Sequence, residues 1–168
     1  MFLPPRSPHR LLFAGLALAA FGLVTGGFIL GNVARIDACY MCSFQRFMYM
    51  LVGAFAALGA LMPRGHRLWG ALVTLSALGG LATAINQSWM QHAPQQAIEC
   101  GFGDPTLLEM TVNWLAVRWP SMFMVTGFCT QKDWVFLGFS LANWSVLFFA
   151  ALILGGITAF RRRGRRSY

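Results

Sequence analysis

Four stretches of the chain contain no Asp, Glu, Lys or Arg: Leu11 to Leu30, Phe47 to Met62, Leu68 to Ile85 and Trp144 to Phe160. Nothing in them alternates with the period of a membrane barrel, and only helices and closed barrels satisfy their backbones inside lipid. A helix crosses the hydrocarbon core with about 17 to 25 residues, so the second run, 16 residues long, borrows a turn from Ser43 to Arg46. The pattern predicts an all-α membrane protein, a bundle of four transmembrane helices with spans near residues 11–30, 44–62, 68–87 and 144–160. One integral membrane domain then covers residues 1–168, with outward loops at about 31–43 and 88–143. Inside the second loop, Leu107, Leu108, Trp114, Leu115 and Trp119 recur at helical spacing, while Glu109 and Asn113 lie on another side. That spacing predicts a short interfacial helix that docks the loop on the membrane surface.

Composition agrees with a membrane protein, since 57% of the residues are hydrophobic. Arg6, His9 and Arg10 before the first run suggest a signal peptide. The run has 20 uncharged residues, more than an h-region of about 7 to 15, and no A-x-A-like site follows it, so it is expected to be a retained anchor.

Charge sets the orientation. Nine of the 13 basic residues, Arg6, Arg10, Arg64, Arg67, Arg161, Arg162, Arg163, Arg165 and Arg166, lie in the N-terminus, the short middle loop and the C-terminus. Arg35, Arg46, Arg118 and Lys132 share the other two loops with every acidic residue, Asp37, Glu99, Asp104, Glu109 and Asp133. The positive-inside rule places both termini and the middle loop in the cytoplasm. The net charge of +8 is thus a topology signal, and the basic tail is a stop signal facing anionic lipid rather than a nucleic-acid site, since no binding module accompanies it.

All four cysteines, Cys39, Cys42, Cys100 and Cys129, then fall in the two outward loops, where disulfides persist. Four cysteines allow three pairings, and position along the chain favours one pair in each loop. On the loop-entropy model, closing about 30 residues between Cys100 and Cys129 stabilises by roughly 3.5 kcal/mol, and closing about four between Cys39 and Cys42 by about 2. The long bridge suits a staple; the short one does not. A C-x-x-C at a helix start is instead where a helix N-terminus and a nearby cation favour thiolate, and Arg46 lies one turn beyond Cys42 on the same face. Arg46 also has a plain reading as a snorkelling anchor, set against a second role holding the polar head of a lipid-soluble ligand against Cys42. Zinc is disfavoured: Cys100 and Cys129 are 29 apart and only His92 lies on the cysteine side.

Trp89, Trp114, Trp119, Trp134 and Trp144 sit near span boundaries as an aromatic belt. Gly22 with Gly26, and Gly27 with Gly31, form G-x-x-x-G spacings expected to allow close packing within the bundle. No Ser-His-Asp array, phosphate-binding loop or intramembrane carboxylate accompanies them, which disfavours transport.

The chain resembles the DsbB family of bacterial inner-membrane thiol oxidases over nearly its whole length. The match rests on the four spans, the C-x-x-C-x-x-x-x-R of Cys39 to Arg46 leading into span two, and a long second loop with a cysteine near each end. The segment GFCTQKDWVFLG, Gly127 to Gly138, is similar to the family's cysteine-containing approach to span four. Gln45 stands where relatives can carry an acidic residue. The resemblance implies that a DsbA-like periplasmic thiol-disulfide oxidoreductase attacks a Cys100–Cys129 disulfide, with Cys100 forming the mixed disulfide. It further implies that Cys129 passes electrons to Cys39 and Cys42, and that Cys42, assisted by Arg46, faces ubiquinone or menaquinone from the membrane pool. A quinone enzyme of the vitamin K epoxide reductase type and a non-catalytic four-span scaffold with two disulfide staples are the alternatives.

Overall fold

A computed structural model of the chain describes residues 8–62, 65–92, 106–127, 129 and 135–161. Six helices and one two-residue-stranded hairpin occupy them: α1 (Pro8–Val33), α2 (Tyr40–Leu61), α3 (His66–Met90), α4 (Leu107–Arg118), α5 (Pro120–Phe123), β1 (Val135–Phe136), β2 (Phe139–Ser140) and α6 (Leu141–Arg161). Helices α1, α2, α3 and α6 are each long and apolar enough to cross a membrane. The mostly helical bundle is the fold class that the hydrophobic runs predict. Cys100, Trp134, the Arg162 to Arg166 tail and Arg64 lie outside the described residues.

Helix α2 packs against α1 on one side and α3 on the other, α3 packs along α6, and α1 and α6 meet over a much shorter length. The core gathers Phe13, Ala20 and Val24 of α1, Tyr49 and Val52 of α2, Val73 and Ala77 of α3, and Phe149 and Leu152 of α6. Tyr49 stacks on Phe149 with ring centroids 4.0 Å apart and planes 8° apart, a contact of about 0.5–1.5 kcal/mol beyond its area. Gly80 leaves the space that the Phe149 ring occupies, and Gly70 lets the backbone of Phe160 approach α3. Outward residues such as Leu18, Leu75 and Leu154 are exposed, as lipid-facing positions are when no other helix covers them.

The starts of α1 and α3 share one end of the bundle, where the rings of His9 and His66 lie 5.2 Å apart. The start of α2, the end of α3 and the start of α6 share the other, where Ser88 bonds Asn143 and Ser140 donates to Gln91. At this second end α4 begins with a reciprocal cap: Glu109 N–H donates to the Thr106 hydroxyl and Thr106 N–H to the Glu109 carboxylate.

Two details depart from the expectation drawn from periodicity. The apolar residues of α4 do not share one face: Val112 and Leu115 are buried, and Leu107, Trp114 and Trp119 are exposed. The helix is apolar on two sides, so spacing alone does not select the inward one. The second departure is the hairpin, which pairs Val135 with Ser140 and Phe136 with Phe139. Its two-residue turn places Leu137 and Gly138 at φ 54° and 82°, the left-handed values a type I′ turn requires.

Candidate active site

Cys39 caps α2 with an extended backbone, φ −90° and ψ 172°, and its side chain is buried. Cys42 follows in the first turn, and the helical repeat carries its sulfur back beside the cap, with the two Sγ atoms 3.5 Å apart. The backbone N–H of Cys39 points at Cys42 Sγ, which is one half of a capping box with sulfur in place of a carboxylate; the Cys39 side chain itself makes no cap bond. Cys39, Cys42 and Cys129 are all present as thiols.

Cys129 reaches the same helix start from the second loop. Its sulfur is hydrogen-bonded with Cys39 and receives the backbone N–H groups of Met41 and Tyr40. A short clamp holds it there. Thr126 N–H and Gly127 N–H both donate to the Ala38 carbonyl, at 3.0 and 3.2 Å, and the Thr126 hydroxyl donates to the Asp37 carboxylate at 2.8 Å. Gly127 is required by this approach, because a Cβ there would run into the Asp37 backbone. Cys39 therefore lies between Cys42 of its own loop and Cys129 of the other.

The two sulfurs outside the spans have opposite electrostatic positions. Hydrogen bonding with Cys129, then with Cys42, and burial together push the Cys39 thiol up, so it keeps its proton. The hydrogen bond from Cys39 holds Cys129 below the usual thiol range against the opposing effect of its burial, and the N–H groups of Met41 and Tyr40 add to the lowering.

Beneath this cluster, α1, α2 and α6 enclose a cavity of about 370 Å³, sited where α1 and α6 diverge. Cys42, Gln45, Arg46, Tyr49 and Gln87 form its polar edge, and Trp144, Phe148 and Phe136 line it from α6 and the hairpin. Arg46 extends past Gly31 to donate to the Met122 carbonyl at 3.0 Å. It thus ties α2 to the segment that leads to Cys129.

The glycines of α1 serve differently from the expectation. Gly22, Gly26, Gly27 and Gly31 all line the cavity, and at the first three nothing stands within 4 Å of where a Cβ would project. They leave room instead of drawing another helix close. Trp144, expected only as a belt residue, is also part of the cavity wall. Gln87 escapes sequence reasoning altogether; its one signal is a polar triplet, Asn86 to Ser88, ending a long apolar run.

Residues 9–159 match the family model for disulfide bond formation protein DsbB. A disulfide bond formation protein B of Dechloromonas aromatica (strain RCB) is 44% identical over 158 residues, covering 94% of this chain and 96% of the relative. Another, of Azoarcus sp. (strain BH72), is 41% identical over 165 residues, covering 96% and 98%. A third, of Albidiferax ferrireducens, is 35% identical over 162 residues, covering 95% and 91%. Four apolar helices, a C-x-x-C at the start of the second and a family match spanning nearly the whole length lead to one conclusion: the chain belongs to the DsbB family of disulfide bond formation proteins.

Proposed function

We propose that this protein is a membrane thiol oxidase that reoxidises a DsbA-like periplasmic dithiol protein and delivers the electrons to membrane quinone. The observation that carries the reading is the unbroken series of Cys129, Cys39 and Cys42, which ends on the wall of an apolar cavity beside Arg46. Arg10, Arg67 and Arg161 at the opposite end of the bundle, with the basic residues of the adjoining sequence, support a cytoplasmic side there and a periplasmic, inner-membrane setting for the cysteines.

The chemistry is thiol-disulfide exchange, in which each step moves one electron pair along the sulfurs. The reduced partner attacks a Cys100–Cys129 disulfide at Cys100; that bond breaks and Cys129 leaves as thiolate. The partner's second thiol then displaces Cys100, which releases the oxidised partner. Cys129 attacks Sγ of Cys39 in a Cys39–Cys42 disulfide, and the electron pair of the broken bond passes to Cys42. Cys100 closes back onto Cys129 and frees Cys39, leaving the reducing equivalents on the Cys39 and Cys42 pair.

The cavity suits a quinone: its walls are apolar, and its polar edge presents the Arg46 guanidinium and the Cys42 sulfur together. Arg46 would hold the polar head group, and α1 and α6 the apolar body. Quinone bound there, ubiquinone or menaquinone, supplies the acceptor for two electrons and two protons that returns Cys39 and Cys42 to the disulfide.

The test is quinone reduction by the purified protein in detergent, supplied with a reduced DsbA-like partner. Cys42→Ser and Cys100→Ser should each abolish turnover, and Arg46→Ala should act mainly by raising the apparent KM for quinone. Inactivity of the wild type with both quinones, or full activity of Cys42→Ser, would refute the reading and favour the stapled scaffold.

A further inference from the structure

Gln87 of α3 and Gln45 of α2 are each 4% exposed and lie against the sulfur cluster from below. The Gln87 Nε2 group is 3.0 Å from Cys42 Sγ and 3.6 Å from Cys39 Sγ. Its two hydrogens therefore serve the two sulfurs of the C-x-x-C, with the shorter bond on Cys42. The other end of the amide is fixed by Gln45, whose Nε2 donates to Gln87 Oε1 at 2.8 Å. In the structure the Gln87 donors thus face sulfur while its oxygen faces the Gln45 donor. Both side chains are amides, so neither gains nor loses charge with pH.

We infer that Gln87 is a catalytic residue, a fixed hydrogen-bond donor to the Cys42 sulfur as that sulfur leaves, and that Gln45 is the positioning residue that aims it. The inference rests on the oxidase reading and adds the group that receives the charge of the relay. When Cys129 attacks Cys39, the Cys39–Cys42 bond breaks, a Cys39–Cys129 bond forms and the electron pair comes to rest on Cys42. Negative charge then appears on the sulfur that Gln87 holds most closely, in a site where donors fixed in advance have most effect. The unequal distances also set direction. The closer donor favours Cys42 as the departing atom, and Cys129 is placed to attack Cys39.

A donor to an ionised sulfur stabilises the dithiol form over the disulfide. Its loss should make the Cys39–Cys42 disulfide about tenfold harder to reduce, which for two electrons is about 30 mV. The experiment uses full-length protein with Cys100→Ser and Cys129→Ser, so that only Cys39 and Cys42 remain. It is equilibrated at pH 7 with graded ratios of reduced to oxidised dithiothreitol and scored by alkylation and mass. Gln87→Met removes the donor at similar length. Gln87→Glu keeps an acceptor for Gln45 and adds a carboxylate beside Cys42 whose charge opposes a thiolate there. Both are compared with the parent once gel filtration and thermal melting show equal folding.

Gln87→Met should shift the midpoint about tenfold toward disulfide, Gln87→Glu at least as far, and Gln45→Met less in the same direction. A midpoint within about twofold of the parent in folded Gln87→Met and Gln87→Glu would overturn the inference and leave the oxidase reading standing. A parent whose Cys39 and Cys42 cannot be cycled between dithiol and disulfide would overturn both.

Discussion

In the proposed relay, Cys129 is the attacking sulfur. The hydrogen bond from Cys39 lowers it first, and the N–H groups at the start of α2 assist. For an acid with a depressed pKa, the ionised form persists as pH falls, until the pH passes below the folded value. Alkylation of Cys129 in the reduced protein should therefore stay fast below about pH 8.5, where an ordinary thiol loses roughly tenfold in rate per pH unit. Cys39→Ala removes the principal cause and should move the midpoint upward. Iodoacetamide labelling across pH, read cysteine by cysteine from peptide masses, checks both, and a parent midpoint at or above the ordinary thiol value would contradict the first. The sequence announces Cys39, Cys42, Cys129 and Arg46 through spacing and charge, yet it does not reveal Gln87. A single amide at the end of an apolar run reads as a boundary. Its meaning depends on how α3 is rotated and slid against α2, and helical periodicity holds no such information.

Helix α1 shows where an element's pattern is legible and its use is not. The G-x-x-x-G spacings identify a smooth surface, and close helix packing is the ordinary use of such a surface. In the bundle that surface faces the gap between α1 and α6, so the same small residues form a cavity wall. Gly26→Leu should accordingly place a side chain in the cavity, since a Cβ there has no protein atom within 4 Å, and in the helix interior Leu is favoured over Gly by nearly 1 kcal/mol. The expected result is a several-fold rise in the KM for quinone with kcat within about twofold of wild type, because only ligand volume is lost. Steady-state kinetics over a range of quinone concentrations checks it, and an unchanged KM would show that the cavity is not the quinone site. Helix α4 repeats the lesson. Its existence follows from spacing and from the Thr106 and Glu109 cap, but its inward face depends on what α2 presents to it.

At the scale of the molecule, the four apolar runs make the bundle readable in advance, since few other folds satisfy so many buried backbone groups in lipid. The joining of the two loops is different. Position along the chain favours a disulfide within each loop, whereas the folded protein sets Cys129 beside Cys39. That neighbourhood arises from Thr126 and Gly127 docking on Asp37 and Ala38, contacts between segments nearly ninety residues apart that no local signal encodes. Under the proposed function, it is also what joins the two pairs into a single relay. The most direct measurement is made on protein in which Cys42 and Cys100 are both serine, leaving Cys39 and Cys129, mildly oxidised and digested without reduction for peptide mass spectrometry. A rapid, nearly complete Cys39–Cys129 disulfide within one chain is the predicted result, with marked slowing in Gly127→Val, whose side chain would push the loop off Asp37. Two thiols that stay free, or that bond only between separate molecules, would contradict the relay.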